Sequence, residues 1–341
     1  MNSKLFLNQI GDSVLLAENA RRLSEGLAGE LPDTEELLRL TENYGIDLAT
    51  SVLHQSILRH ERHGDFCARL ERTAAVSDVV EQPPRLFIVP GLYYNDFPEI
   101  GAHGDLLRQV AARFGVDAQR IPTNSRGSIG QNVEILHAAL LRHADQPFWL
   151  ASVSRGSAEI KWLMHHYPGA EYLENLKGWV SINGVVRGTG LLHGAGKSTV
   201  KRRLLQALAM AKSVSPLLID ELNPQRPEWN YAVSEKLFYL NVVSVPMSWD
   251  ITYHVQKRYR QLSSFGPNDG VATLGDYTKE TGLLYPLSGV DHLLRTNRLA
   301  SVFYQLLRLL FLPAVVQEKQ SNREIKNDQG MQGNNGIRAG D

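Results

Sequence analysis

The apolar positions of this chain follow two rhythms, and the change between them falls at Pro83-Pro84. Residues 1 to about 80 read as helical, and Asp33 followed by Glu36 just ahead of Leu37 and Leu38 has the spacing of a helix start with a carboxylate cap. Beyond the proline pair, a boundary signal, short apolar runs alternate with longer stretches of helical period. LFIVP (86–90) predicts a buried strand, 103–114 a helix, and Gln119 to Pro122 a short extended piece. In 128–144, Ile129, Val133, Leu136 and Leu140 recur at helical spacing, and FWLASV (148–153) is a second strong strand. A helix over 155–167 turns Ile160, Leu163, Met164 and Tyr167 inward and stops at Pro168-Gly169. WVSI (179–182) and LNVVSV (240–245) are two further buried strands. Continuous apolar strands separated by helices predict an α/β fold with a mainly parallel sheet covered on both faces.

One interval breaks the alternation. Between Gly184 and about Tyr239 no strong strand signal occurs, but KRRLLQALAMAK (201–212) has a basic start and a Leu-rich face. The expected organisation is a helical N-terminal extension (1–82), a core in two pieces (83–187 and 239–317), a helical cap inserted between them (188–238) and a disordered polar tail (318–341). The apolar stretch 299–316 carries Arg308 and Pro313 and reads as a terminal helix rather than a membrane span.

Composition narrows the function classes. Lys+Arg and Asp+Glu both number 36 in a chain of 341 residues, so no overall basic field exists to hold nucleic acid. Cys67 is the single cysteine and cannot form an intramolecular disulfide, and the first residues carry too short an apolar run for a signal peptide. These features lead to the expectation of a cytoplasmic protein.

Candidate chemistry centres on a repeated tetrapeptide, SRGS, present at 125–128 and at 154–157. A serine hydroxyl is a poor nucleophile unless a histidine can take its proton and amide donors can receive the negative oxygen. In open sheets that geometry comes from a strand running into a helix through one sharp turn, with small residues two before and two after the serine. Ser154 directly follows FWLASV and is flanked by Ser152 and Gly156, whereas Pro122-Thr123-Asn124 separates Ser125 from any strong strand. Context selects Ser154, although its S-x-S-R-G departs from G-x-S-x-G at the first position. A serine so placed is as compatible with a plain turn as with catalysis, so its partners decide.

With these residues the sequence resembles the α/β-hydrolase family, in particular its lipases and esterases. The resemblance covers about residues 85–316 and implies a triad in the order nucleophile, acid, base. It implies Asp269, in GPNDG after the strand 240–247, as the acid, and His292, in GVDH ahead of the terminal helix, as the base. Asp250 and Asp276 are the substitutes for the acid, since Pro-Asn-Asp-Gly also makes a good turn without catalysis. LFIVPGLYYNDF resembles the first strand and oxyanion loop of these enzymes, with Pro90-Gly91 where His-Gly is common, and implies the backbone N–H groups of Leu92 and Arg155 as oxyanion donors.

Other motifs carry less. His103, His137, His143, His165, His166, His193 and His254 read as surface or packing residues, and with no HExxH or comparable spacing neither a metal nor a cofactor is expected. GLLHGAGKST (190–199) ends like a phosphate loop, but Gly190 stands one residue too early and Leu191 fills the position that needs glycine. Lys197, Lys201, Arg202 and Arg203 read as a solvated face, or as a site for anionic head groups while Leu204, Leu205 and Leu208 meet an acyl chain. The leading expectation is a serine hydrolase cleaving a small-molecule carboxylic ester with a lipophilic acyl group, through an acyl-enzyme on Ser154. A thioesterase or acyltransferase with the same triad is the alternative within enzymes, and a non-catalytic scaffold with the same fold is the alternative outside them.

Overall fold

The computed structural model describes residues 3–72, 83–97, 100–143, 145–193 and 198–311, with side chains from Val14 onward. The strands are β1 (Arg85–Val89), β2 (Ala118–Arg120), β3 (Phe148–Val153), β4 (Leu176–Ile182), β5 (Phe238–Val245) and β6 (Leu283–Ser288). They form one sheet in the order β2-β1-β3-β4-β5-β6, parallel at every pairing. The longer helices are α1 (Ser3–Glu25), α2 (Thr34–Tyr44), α3 (Ile46–Arg59), α4 (Glu61–Glu71), α5 (Asp105–Ala112), α6 (Ile129–His143), α7 (Arg155–His166), α8 (Thr199–Ala211), α9 (Tyr253–Leu262) and α10 (Arg298–Phe311). The tail 318–341, the end of the apolar stretch 299–316 and Lys197 lie outside the described residues.

Both faces of the sheet are buried, which is why its strands read as unbroken apolar runs. On one face Ile88, Ala151, Val180, Val242 and Leu287 pack with side chains of α4, α5 and α10. On the other, Phe87, Leu150 and Trp179 pack with Val133 and Leu136 of α6 and Ile160 and Leu163 of α7. The strand β6 has no counterpart among the strands expected from sequence, because Pro286 interrupts it. Proline removes a ladder donor and is confined to edge strands; among the described residues β6 pairs with β5 alone, Pro286 lying opposite Val243.

The N-terminal helices are bound into this core. Asp33 caps α2 as its spacing predicted, its side chain accepting from Glu36 N at 2.8 Å. Leu37 of α2 and Leu53 and Ile57 of α3 are buried with Val243, Val245 and Leu284, and Phe66 and Leu70 of α4 are buried with Leu86 and Tyr285. Five such side chains at about 1.5–3 kcal/mol each contribute on the order of 10 kcal/mol. That is comparable with the whole stability of a typical domain, so residues 33–72 complete the sheet's cover rather than hang from it.

Sheet order also positions the site. From β1 the chain steps outward to β2, and from β3 it steps the other way to β4. Such a reversal opens a crevice at the carboxyl ends of the two strands. Leu92 follows β1 there and Ser154 follows β3.

Candidate active site

Ser154 occupies the single residue between β3 and α7, with φ 52° and ψ −117°. A non-glycine residue in that region is strained. The turn is held by Ser154 N donating to Ile182 O at 3.0 Å and by Ser154 O accepting from Val185 N at 3.0 Å. Its sharpness explains the small flanking residues: a Cβ on Gly156 would lie 2.4 Å from Val89 O. At the other flank Ser152 is small and also bonded, its Oγ taking the Trp179 indole N–H at 2.8 Å and pairing with Ser157 Oγ at 2.8 Å. The serine that departs from G-x-S-x-G is therefore an acceptor for a buried tryptophan that glycine could not supply.

Two further loops at the carboxyl edge meet Ser154. His292 lies between β6 and α10, and its Nε2 is 2.8 Å from Ser154 Oγ. Its Nδ1 is 2.7 Å from Asp269 Oδ2. The second oxygen, Oδ1, accepts from Val271 N and Ala272 N, each at 2.8 Å, in the turn that Pro-Asn-Asp-Gly makes. Turn-forming and histidine-facing roles thus fall on different oxygens of one carboxyl. A carboxylate at Nδ1 places the ring proton on that nitrogen and leaves Nε2 as an acceptor towards Ser154. Asp269 is buried and His292 is 8% exposed.

The competing residues lie elsewhere. Asp250 accepts from Met247 N at 2.9 Å, and Asp276 accepts from the Thr273 hydroxyl; burial raises the pKa of both from the ordinary aspartate value. Ser125 Oγ donates to Asp96 at 3.0 Å rather than facing a histidine. Burial pushes the Cys67 thiol up to about 12, which keeps it from acting as a thiolate. Among the described residues no cluster of His, Cys, Asp and Glu could hold a metal ion. No described helix is long and apolar enough to cross a membrane.

A cavity of about 90 Å³ adjoins Ser154 and His292, with Leu92 in its lining. Its other walls include Ile100, Ala102, Leu107, Leu294 and Leu299, and among the described residues no other charged side chain lines it. None of the described residues of 188–238 lines it. Leu92 sits between two fixed amides, since Gly91 N donates to Ala102 O at 2.8 Å and Tyr93 N to Ser125 O at 3.0 Å. Arg155 N opens α7, where the first helical N–H groups have no intrahelical acceptor.

By sequence the chain matches no protein-family model and no curated protein. Solved structures do match in shape. A metagenomic carboxyl esterase is 17% identical, with 86% of this chain and 94% of that one covered at a TM-score of 0.51. The mature form of a Bacillus licheniformis lipase is 18% identical over 68% of this chain and 93% of its own, with a TM-score of 0.44. Lipase 1 from Pelosinus fermentans is 12% identical over 68% and 99%, with a TM-score of 0.43. The fold is that of the α/β-hydrolases.

Within this α/β-hydrolase fold, sequence reasoning missed the residues that aim the histidine loop. Asn183, at φ 45° just after β4, accepts from Ser244 N at 2.7 Å and donates from Nδ2 to Ser244 Oγ at 2.7 Å and to His292 O at 3.2 Å. Asp291, buried beside His292, accepts from Thr252 N at 2.8 Å, from Thr252 Oγ1 at 2.6 Å and from Leu293 N at 3.0 Å. The available signal was positional. Asn183 and Ser244 are polar residues at the carboxyl ends of apolar strands, where an α/β sheet places its ligand crevice. The phosphate-loop-like segment shows no strand leading into it; residues 183–189 are irregular and Gly190–Leu192 is a single 3-10 turn.

Proposed function

We propose that this protein is a serine hydrolase that cleaves a carboxylic ester through an acyl-enzyme on Ser154. The hydrogen-bonded line from Ser154 Oγ through His292 to Asp269, at 2.8 and 2.7 Å, carries this reading. In the first half-reaction Ser154 Oγ forms a bond to the substrate's carbonyl carbon while its proton passes to His292 Nε2. The negative oxygen of the tetrahedral intermediate takes hydrogen bonds from Leu92 N–H and Arg155 N–H, each worth roughly 3 kcal/mol at the transition state. Collapse breaks the bond to the leaving oxygen, which receives the proton from His292. In the second half-reaction His292 takes a proton from water as the water oxygen attacks the acyl carbon, and returns that proton to Ser154 Oγ as the acid leaves. Proton transfer by His292 contributes about 10²–10⁴ in rate. Asp269 holds the imidazole tautomer and stabilises the imidazolium.

The leucine-rich lining described beside Ser154 supports a lipophilic acyl group. Peripheral contact with a lipid surface is supported by α8, in which no residue is buried and Val200, Leu204 and Leu208 are exposed beside Lys201 and Arg203. A fluorophosphonate probe tests the nucleophile. Labelling at end point is expected in the native protein and, at a reduced rate, in Ser125→Ala, and is expected to vanish in Ser154→Ala; labelling that survives Ser154→Ala overturns the reading.

A further inference from the structure

The two SRGS copies, unrelated in the sequence, are clasped together in the fold. Arg155 of the second copy is buried with its guanidinium against the turn that holds the first. Nη2 donates to Asn124 O at 2.9 Å, and Nη1 donates to Gly127 O at 3.1 Å and to Ser125 O at 3.3 Å. Nε stands 2.8 Å from Glu159 Oε1 as an ion pair, and that oxygen accepts a hydrogen bond from Asn132 Nδ2 at 2.7 Å. Asn132 Oδ1 in turn accepts from Asn124 N at 2.8 Å. The turn 124–127 is thereby fixed to the helix that begins at the nucleophile.

The opposite side of that turn grips the loop after β1. Ser125 O accepts from Tyr93 N at 3.0 Å, and Ser125 Oγ donates to Asp96 Oδ2 at 3.0 Å. Arg126 donates from Nη2 to Asp96 Oδ1 at 2.8 Å and from Nε to both carboxylate oxygens at 3.2 Å. Its guanidinium also stands 5.6 Å from the Tyr93 ring centre. Tyr93 has φ 61°, a conformation that a bulky residue keeps only where its surroundings over-determine it. Every one of these bonds acts within four residues of Leu92.

We propose that the turn 124–127 is a brace for the oxyanion loop, with the Arg155 side chain, Ser125, Asp96 and Arg126 as positioning residues for the Leu92 N–H. The inference rests on the hydrolase reading above. An oxyanion donor is effective only if it is already aimed at the place where charge develops. On the side away from Gly91 N, which bonds Ala102 O, the loop is aimed by the anchors at Tyr93 and Asp96. Arg126 extends the same brace to the end of α8, donating from Nη1 to Lys212 O at 2.9 Å and accepting at its carbonyl from Ser215 N at 2.9 Å.

The test uses Arg126→Ala and Asp96→Ala, both on partly exposed side chains, so that the folded state is retained. Steady-state kinetics on p-nitrophenyl butyrate would be compared with affinity for phenylboronic acid, which bonds through boron to the serine oxygen and places a boron oxygen in the oxyanion site. The expected result is a kcat lower by about 10- to 100-fold with KM little changed and boronate affinity lower by a similar factor. Arg126→Lys should recover part of the loss. The loss in the Asp96→Ala/Arg126→Ala double variant should fall short of the sum of the two single losses, because the Asp96–Arg126 pair is already broken in each single variant. Folded variants with native kcat and native boronate affinity would overturn the brace while Ser154 labelling stays intact. A native protein with neither labelling nor turnover would instead overturn the hydrolase reading and the brace with it.

Discussion

Ser154 Oγ and His292 Nε2 lie 2.8 Å apart although 138 residues separate them in the chain. Each is fixed by contacts independent of the other: Ser154 by the backbone of Ile182 and Val185, and His292 by Asn183 and by its own N–H donating to Asp269 O at 3.0 Å. The pair is thus pre-set by the sheet edge rather than assembled by one flexible loop.

The histidine's orientation depends on which carboxyl faces it. Asp269→Asn keeps Oδ1 for Val271 N and Ala272 N but presents an amide to His292 Nδ1, which favours the unproductive tautomer. We expect a folded protein with kcat reduced by about 10⁴. Asp250→Asn and Asp276→Asn should retain near-native kcat, since both carboxyls bond elsewhere. Circular dichroism and steady-state kinetics on the three variants check this.

Asn183 separates aim from backbone strain. Asn183→Ala removes the acceptor of Ser244 N and the donor to His292 O, and is expected to cost about 1–3 kcal/mol of stability together with activity. Asn183→Gly removes the same bonds but tolerates φ 45°. It should recover stability in part without recovering kcat. Denaturant titration beside kinetics distinguishes the two effects, and equal recovery of both would contradict this role.

What was legible in the sequence was whatever depends on a short local pattern. The run FWLASV fixed β3 at its observed limits, and the small residues around Ser154 marked the turn into α7. Asp269 and His292 followed from chain order through a family resemblance, not from periodicity. Pro286 hid β6, because a proline in an apolar run reads as a break unless the run is known to lie at an edge. Asn183 and Arg155's guanidinium were invisible as partners for a different reason. Their partners lie far away in the chain, the Ser244 amide and hydroxyl and His292 O for Asn183 and the carbonyls of Asn124, Ser125 and Gly127 for Arg155, and no spacing in the sequence encodes those. The long bridging contacts of α3 and α4 were likewise hidden in a helical pattern that does not say what it packs against.

The cavity's size limits the acyl group. At about 90 Å³ it is smaller than the roughly 150 Å³ apolar cavity that holds benzene. A short acyl chain should therefore be favoured. In a p-nitrophenyl ester series, kcat/KM is expected to peak near butyrate and fall by octanoate, and Leu107→Ala should move the peak to longer chains. A native profile that rises through octanoate would contradict the assignment of this cavity to the acyl group.

Stability should fall on the acid side through His63. Burial lowers this group to about 4, and its Nδ1 accepts from Leu284 N at 3.3 Å. The folded protein keeps it neutral where the unfolded chain takes up a proton near pH 6.5. The contribution is full above about pH 6.5 and is lost as pH falls towards about 4. In His63→Gln, which keeps an acceptor for Leu284 N, Tm should decline less steeply across that window. Parallel Tm profiles for the two proteins would assign the acid sensitivity to other groups.

The covalent intermediate is the central claim, and mass spectrometry of enzyme quenched during turnover of p-nitrophenyl butyrate reads it directly. The account predicts a butyryl adduct on the peptide that contains Ser154, lost in Ser154→Ala. Turnover without that adduct, or an adduct on any other residue, would contradict it.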